Sequence, residues 1–278
     1  MIHWLASFPK SGNTWVRSFL TAYQFGTIDI NRLDFVCGDN QFWFFQLASP
    51  LPYHQLGMYE WACIRLSALY SMKVAKKYTP FLVKTHNANA NIRDVPLIPN
   101  GLTGNSVYLI RDPRDVAISY ASHMGVDIDT AIGNITNEHL GSKASTELNA
   151  LPQLFSSWDR NVYSWRKRDY CIVVRYEDLL AQPEIEFRRI LDHYGIDYSQ
   201  EKFETAFNLT RFDRLQKMEA EAEGGFSENS PKQERFFRKG KAGGWQNELT
   251  APQVERLETA LGEEMRRHGY ELTLVEAA

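Results

Sequence analysis

Residues 2–8, Ile-His-Trp-Leu-Ala-Ser-Phe, make an almost unbroken apolar run, the pattern of a strand buried along most of its length. Pro9-Lys10-Ser11-Gly12-Asn13 interrupts it, and from about Thr14 the positions Trp15, Val16, Phe19, Leu20 and Tyr23 recur at helical spacing. Residues 81–84, 106–110 and 171–175 are further short runs rich in β-branched or aromatic side chains and read as strands. Helical patterns separate them. Residues 113–124 form one, and Phe155, Trp158, Val162 and Trp165, spaced 3, 4 and 3 apart, mark the buried stripe of another. Beyond the fourth strand, residues 183–194 are amphipathic, with Pro183 in the first turn and Gly195 placed to cap the end. Two more helical stretches follow, then a Gly-rich basic segment (224–250) that Pro231 and residues 240–244 keep irregular, then a last amphipathic helix at about 252–268. Strands alternating with helices predict an α/β fold, a central parallel sheet flanked by helices, built as a single domain over residues 1–278.

Composition adds exclusions. The 278 residues are 44% hydrophobic and 23% charged, enough to bury a sizeable core and too apolar for a disordered chain. Lys and Arg number 31 against 34 Asp and Glu, a net charge of −3, so the molecule presents no general basic field to a polyanion. Nucleic acid is therefore not an expected partner, and any anionic ligand must be met by locally clustered cations. Cys37, Cys63 and Cys171 stand far apart, which points to a reducing compartment rather than to disulfides or a zinc knuckle. The histidines include no H-x-x-x-H or H-E-x-x-H pair, and no metal is expected. No 18-residue apolar run occurs and no cationic segment precedes the first apolar one, so a cytoplasmic protein without membrane attachment is expected.

The first strand-to-helix turn carries the first candidate chemistry. Backbone N–H groups and a helix N-terminus point at such a turn in an open parallel sheet, and Lys10, Ser11 and Thr14 add donors suited to a phosphate. It is not a Walker A loop, because Lys10 precedes the only glycine of the turn, which disfavours an ordinary nucleotide triphosphatase. Taken alone, the turn also fits a plain solvated loop. The third strand runs into Arg111-Asp112-Pro113-Arg114, where Asp112 is placed to cap the next helix and Arg114 reads as solvent-facing. Capping leaves Arg111 unexplained, and with Ser119 two turns along it suits an anion. The second strand ends in Lys84-Thr85-His86, and a histidine at the carboxyl edge of a sheet suits a general base near neutral pH. Arg235, Arg238, Lys239 and Lys241 form a basic run that by default is only a solvated face.

Four segments, in order, resemble the cytosolic-type sulfotransferases that use 3′-phosphoadenosine 5′-phosphosulfate (PAPS): residues 8–15 (FPKSGNTW), 83–86 (VKTH), 110–120 (IRDPRDVAISY) and 238–247 (RKGKAGGWQN). Weaker echoes at Trp158 to Trp165, 175–178 and 210–212 extend the resemblance over nearly the whole chain. The resemblance implies a P-loop-like nucleotide-binding fold and an O-sulfotransferase acting on a small-molecule hydroxyl acceptor, with adenosine 3′,5′-bisphosphate (PAP) as the second product. By the same resemblance Lys10, Ser11, Gly12, Asn13 and Thr14 would cradle the 5′-phosphosulfate. Trp15 and Phe212 would stack on adenine, Tyr176 would approach it, and Arg111, Ser119, Arg238, Lys239 and Gly240 would hold the 3′-phosphate. His86 would take the acceptor proton, Lys10 would neutralise the leaving phosphate oxygen, and Lys84 would assist at the sulfuryl group. Asn87-Ala88, Arg211 and Gly244 depart from the common pattern and look closer to bacterial members.

Two stretches lie outside the resemblance. Residues 25–78 are aromatic, with Phe42-Trp43-Phe44-Phe45, Tyr53, Tyr59, Trp61 and Tyr70, and read either as an apolar acceptor pocket or as helix packing, which leans toward a ring-bearing or hydrophobic acceptor. Residues 122–152 are polar and glycine-punctuated, the pattern of a lid or a surface loop. The competing readings are a non-catalytic adenosine bisphosphate-binding protein, which the joint presence of Lys10 and His86 disfavours, and a P-loop-like phosphotransferase, for which no Walker lysine is in register. Monomer and homodimer both remain open.

Overall fold

The computed structural model describes residues 1–40, 46, 48–49, 56–75, 78–145, 150–222, 226 and 235–273. Its centre is a five-stranded, all-parallel sheet. The strands are β1 (Ile2–Ser7), β2 (Val36–Gly38), β3 (Phe81–Thr85), β6 (Thr103–Ile110) and β9 (Cys171–Arg175), in the order β2-β3-β1-β6-β9. Two small antiparallel pairs lie outside it: β4 (Asn91–Ile92) with β5 (Val95–Pro96), and β7 (Gly141–Ser142) with β8 (Gln153–Leu154).

Period-two alternation sorts the strand side chains onto two faces. Trp4, Ala6, Val83, Tyr108 and Ile110 point into one core cluster. Leu5, Leu82, Val107, Leu109 and Val174 point into the other. Helices cover both. On the second face lie α1 (Asn13–Phe25), α6 (Tyr176–Ala181), α7 (Pro183–Tyr194) and α8 (Gln200–Leu209). On the first lie α2 (Met58–Ala75), α3 (Pro113–Met124), α4 (Ile128–Ile135), α5 (Trp158–Arg166) and α11 (Ala251–Arg267). The helices α9 (Phe212–Glu221) and α10 (Trp245–Glu248) flank the late basic segment. No described helix is long and apolar enough to cross a membrane.

The four strands expected from the apolar runs are all present, and Gly195 caps α7 in the left-handed conformation as expected. Three expectations change. Phe155 is not the first turn of the Trp158 helix; it follows β8 and packs into the same core from a loop, while α5 starts at Trp158. Arg114 is not solvent-facing: its guanidinium is buried between Asp112 (2.7 Å) and Glu258 (2.7 Å) and lies 3.8 Å from the Trp245 ring centroid, tying α3 to α11. Residues 122–152 are not one polar loop, because α4 buries Ala131, Ile132 and Ile135 in the main core.

Candidate functional site

The carboxyl ends of β1, β3 and β6 open into a cavity of about 1760 Å³, and it collects the predicted residues from distant segments. Lys10, Gly12, Asn13, Thr14 and Trp15 come from the turn after β1. Lys84 and His86 come from the end of β3, and Arg111 and Ser119 from the end of β6 and from α3. Tyr176 heads α6, Phe212 heads α9, and Arg238, Lys239 and Gly240 come from the late loop. Ser11 alone among the predicted residues is not in the lining. It is fully buried, and its Oγ has no partner among the described residues.

The turn is shaped by backbone more than by side chains. Gly12 has φ +94°, and a Cβ there would stand 2.6 Å from the Tyr176 ring, so only glycine lets the turn pass over that ring. Lys10 also holds a positive φ of 69°, and its Nζ sits 3.8 Å from the centroid of Phe236 in the late loop. The side-chain amide of Asn13 is committed inward, donating to Leu5 O (3.3 Å) and Ser7 Oγ (3.2 Å). What Asn13 offers a ligand is therefore main chain, among the N–H groups that the first turn of α1 leaves without helical partners.

Arg111 gathers the anion-binding side. It donates to Lys10 O (3.2 Å) and Lys241 O (3.1 Å), lies 3.8 Å from Asp115, and sits 4.7 Å from the Tyr176 ring centroid. Asp115 accepts the N–H groups of Gly243 (2.8 Å) and Trp245 (2.9 Å), which anchors the late loop to α3. Burial raises its carboxyl above the ordinary value, against the lowering effects of Arg111 and the two N–H groups. Within the loop, Gly240 has φ +60°, and a Cβ there would stand 2.3 Å from Phe212. Trp15, Tyr176 and Phe212 thus make an aromatic end beside the loop. Arg238 and Lys239 meet Glu248 at 3.8 and 2.7 Å, so an incoming anion competes with a carboxylate for both.

His86 is oriented by β1. Its Nδ1 lies 2.9 Å from the Ser7 carbonyl oxygen, which can only accept, so Nδ1 carries the proton and Nε2 is the basic nitrogen of the neutral ring. Ser7 Oγ is 3.2 Å from the same nitrogen. Behind His86, fully buried Asn161 donates to His86 O (3.1 Å) and Phe155 O (2.6 Å) and accepts from the Tyr108 hydroxyl (2.8 Å). Lys84, nearly buried, stands one residue before Thr85 on the same strand end. Cys37 also lines the cavity, but burial pushes its thiol up to about 12, which removes it as a thiolate nucleophile near neutral pH. Among the described residues no cluster of three or more His, Cys, Asp or Glu is arranged to hold a metal ion.

Sequence reasoning missed Ser7, Asp115, Asn161, Gln153, Phe236 and Glu248. Asp115 and Phe236 lie inside segments it had singled out, whereas the roles of Ser7, Asn161 and Gln153 depend on pairings that no local pattern announces. Of the aromatic stretch, Phe42 to Phe45 and Tyr53 lie outside the described residues. Trp61 is packed in the core, Tyr59 and Tyr70 are exposed, and none of these three lines the cavity.

The chain is similar to known proteins over almost its whole length. A family model described as the sulfotransferase domain matches residues 3–269. Flavonol 3-sulfotransferase of Flaveria bidentis is 21% identical over 277 residues, covering 95% of this chain and 82% of that protein. Sulfotransferase 1B1 of Canis lupus familiaris is 25% identical over 274 residues, covering 94% and 82%. Among solved structures, mouse sulfotransferase SULT7A1 complexed with PAP superposes with a TM-score of 0.61 at 18% identity, over 95% of this chain and 84% of that one. Retinol dehydratase in complex with retinol and PAP gives 0.59 at 18% identity, over 99% and 82%. These superpositions establish the shared fold.

Proposed function

The chain belongs to the sulfotransferase family, and from that membership we propose that it transfers a sulfuryl group from PAPS to a hydroxyl of a small-molecule acceptor, in line. One observation carries the reading. A single cavity holds a histidine whose tautomer leaves Nε2 basic, two lysines at neighbouring strand ends, and a separate arginine-lysine cluster. The residues suit the donor. Ser11 Oγ is a buried hydroxyl with no partner among the described residues, and Gly12 and Gly240 let the main chain lie against the Tyr176 and Phe212 rings more closely than a Cβ would allow. PAPS, when bound, supplies the sulfuryl group and a phosphate leaving group.

The chain's own residues then divide the work. The main-chain N–H groups after β1, with Lys10, Ser11 and Thr14, hold the 5′ end. Arg111, Ser119, Arg238, Lys239 and the Gly240 main chain hold the 3′-phosphate. Trp15, Tyr176 and Phe212 hold the base. His86 Nε2 accepts the proton of the acceptor hydroxyl, Lys10 neutralises charge on the leaving oxygen, and Lys84 does so at the transferring group. Positioning and charge stabilisation supply most of the acceleration in transfers of this kind. The relatives' names supply only precedent for the acceptor: a flavonol enzyme is among the similar chains, and retinol is bound in one similar structure.

A thermal-shift titration with PAP beside 5′-AMP and ATP tests the donor site without any knowledge of the acceptor. A ligand that binds only the folded state adds about 2.7 kcal/mol at a hundredfold excess over its Kd. Selective stabilisation by PAP is expected. A response to ATP alone, or to none of the three, refutes the assignment of the nucleotide residues.

A further inference from the structure

The cavity that holds His86 also holds a buried donor with no acceptor among the described residues. Gln153 lines the cavity and is 4% exposed, and its Nε2 meets no acceptor among the described residues. It pairs directly with Ser142 across β7 and β8, so the two polar side chains form one rung. Gly141 allows the strands to close, since a Cβ there would stand 2.6 Å from the Gln153 carbonyl oxygen.

This rung is held in register with the base. The N–H of Leu154 donates to Asn87 Oδ1 at 2.8 Å, and the N–H of Ala88 donates to Leu154 O at 2.8 Å. Phe155, next in sequence, stands edge-on to the His86 ring with centroids 6.3 Å apart. Gln153 thus belongs to a segment bonded on both sides to the residues that follow His86. Lys84 and Lys143 line the same cavity. Asp39, whose N–H donates to Lys84 O, is paired with Arg65 at 2.6 Å, both side chains fully buried.

A buried amide donor without a partner is costly, and a ligand that brings an oxygen to it removes that cost on binding. A ligand lacking the oxygen leaves the donor unpaired and gains nothing from it, so the two are discriminated by that one hydrogen bond. We infer that the acceptor carries, besides the hydroxyl that is sulfated, a carbonyl or carboxylate oxygen that accepts from Gln153 Nε2. Gln153 is then a residue that sets acceptor specificity. The inference rests on the sulfotransferase reading for the identity of the sulfated group, and it adds a polar oxygen to the ring-bearing or hydrophobic acceptor toward which the aromatic content of residues 25–78 leans.

The test is turnover with PAPS of 3-hydroxybenzamide, 3-hydroxybenzoate and 3-methylphenol, which differ only in the second substituent, by the full chain and by Gln153→Leu. For the wild type, kcat/KM for at least one oxygen-bearing phenol exceeds that for 3-methylphenol by about tenfold or more, the size expected of one buried hydrogen bond. In Gln153→Leu that advantage vanishes, and the three phenols are turned over alike. The ratio of benzamide to benzoate separates the carbonyl from the carboxylate. Equal turnover of the three, turnover of none, or a preference that survives in Gln153→Leu overturns the inference. The wild-type ratio decides the matter even if the variant does not fold. Thermal stabilisation by PAP, measured on the same samples, keeps the two ideas apart: its loss in the wild type refutes the donor site, whereas its retention with no acceptor preference refutes only the role of Gln153.

Discussion

Replacing Asn161 by leucine removes one side chain that joins three others. Asn161 is fully buried, accepts from the Tyr108 hydroxyl at 2.8 Å, and donates to His86 O at 3.1 Å and Phe155 O at 2.6 Å. Leucine has a similar volume, so the change tests the hydrogen bonds rather than a cavity. Three buried groups lose a partner at roughly 1–3 kcal/mol each, and burying the leucine returns about 1.5–3, which leaves a net loss of about 4 kcal/mol at the middle of those ranges. That is a large share of the roughly 5–15 kcal/mol that holds a domain folded. Urea unfolding at neutral pH should show it as a midpoint lowered by about 1 M, for a slope near 3 kcal/mol/M. Asn161→Asp keeps the acceptor for Tyr108 but sets a buried carboxylate oxygen against the His86 and Phe155 carbonyl oxygens, so its midpoint should fall at least as far. Because His86 is held from behind by this amide, turnover should drop by about tenfold or more in both variants while PAP affinity stays near wild type. A midpoint within about 0.2 M of the wild type, with unchanged turnover, would refute the reasoning.

Four other outcomes are expected. His86→Ala lowers kcat by about a hundredfold or more, the scale of a lost general base, and spares PAP affinity; near-native turnover removes His86 from that role. Gly240→Ala must hold a positive φ and meet Phe212 at 2.3 Å, so the unliganded Tm should fall and PAP binding measured by calorimetry should weaken by about tenfold or more. Glu248→Gln frees Arg238 and Lys239 from a competing carboxylate and should tighten PAP about two- to fivefold; weaker binding would show that Glu248 positions the pair instead. For Glu264, burial alone raises the carboxyl, but the bonds from His268 and Arg166 outweigh it and hold the group below the ordinary value. A depressed folded value means that the stability is fully present above the ordinary glutamate range and lost as the pH falls through the folded value. The stability gap between wild type and Glu264→Gln should therefore be full at about pH 7 and shrink below about pH 4; a gap independent of pH contradicts the ion-pair account.

What was legible in the sequence follows the range of the interactions. β1 and β6 are covered on both faces, so their apolar runs are nearly continuous and stand out. β2 was missed because three residues, Val36-Cys37-Gly38, are too few to carry a period, and they are held only by pairing with β3. Phe155 fell into a helical spacing by coincidence, because its burial comes from a loop that returns to the core rather than from the helix it precedes. Arg114 looks like a surface charge until Glu258, 144 residues away, closes over it. The cavity residues proposed to hold the nucleotide were readable as a group because each short segment supplies several at once. The hold on His86 was not, since Ser7 and Asn161 reach it from 79 and 75 residues away through single hydrogen bonds.

The strand order explains why these scattered groups serve one reaction. From β1 the chain builds β2 and β3 to one side and then crosses to build β6 and β9 on the other, which makes the end of β1 a point where the order of connection reverses. At such a point the loops lead away in opposite directions and leave a crevice at the carboxyl ends of the strands. The turn carrying Lys10 to Thr14 occupies it. Neighbouring strands lie about 4.8 Å apart, so the end of β3 brings Lys84 and His86 against one flank of that turn, and the end of β6 brings Arg111 against the other. On the proposed function, the acceptor side is built from β2, β3 and the β7–β8 pair, and the anion side from β6, α3, α6 and the late loop, with Lys10 in the turn after the strand between them. Ser7 makes the join physical: its carbonyl oxygen accepts a hydrogen bond from His86 Nδ1–H, and its hydroxyl accepts from the Asn13 amide that opens α1. The base and the phosphate turn are therefore set by the same residue at the end of the central strand, and a displacement of one displaces the other.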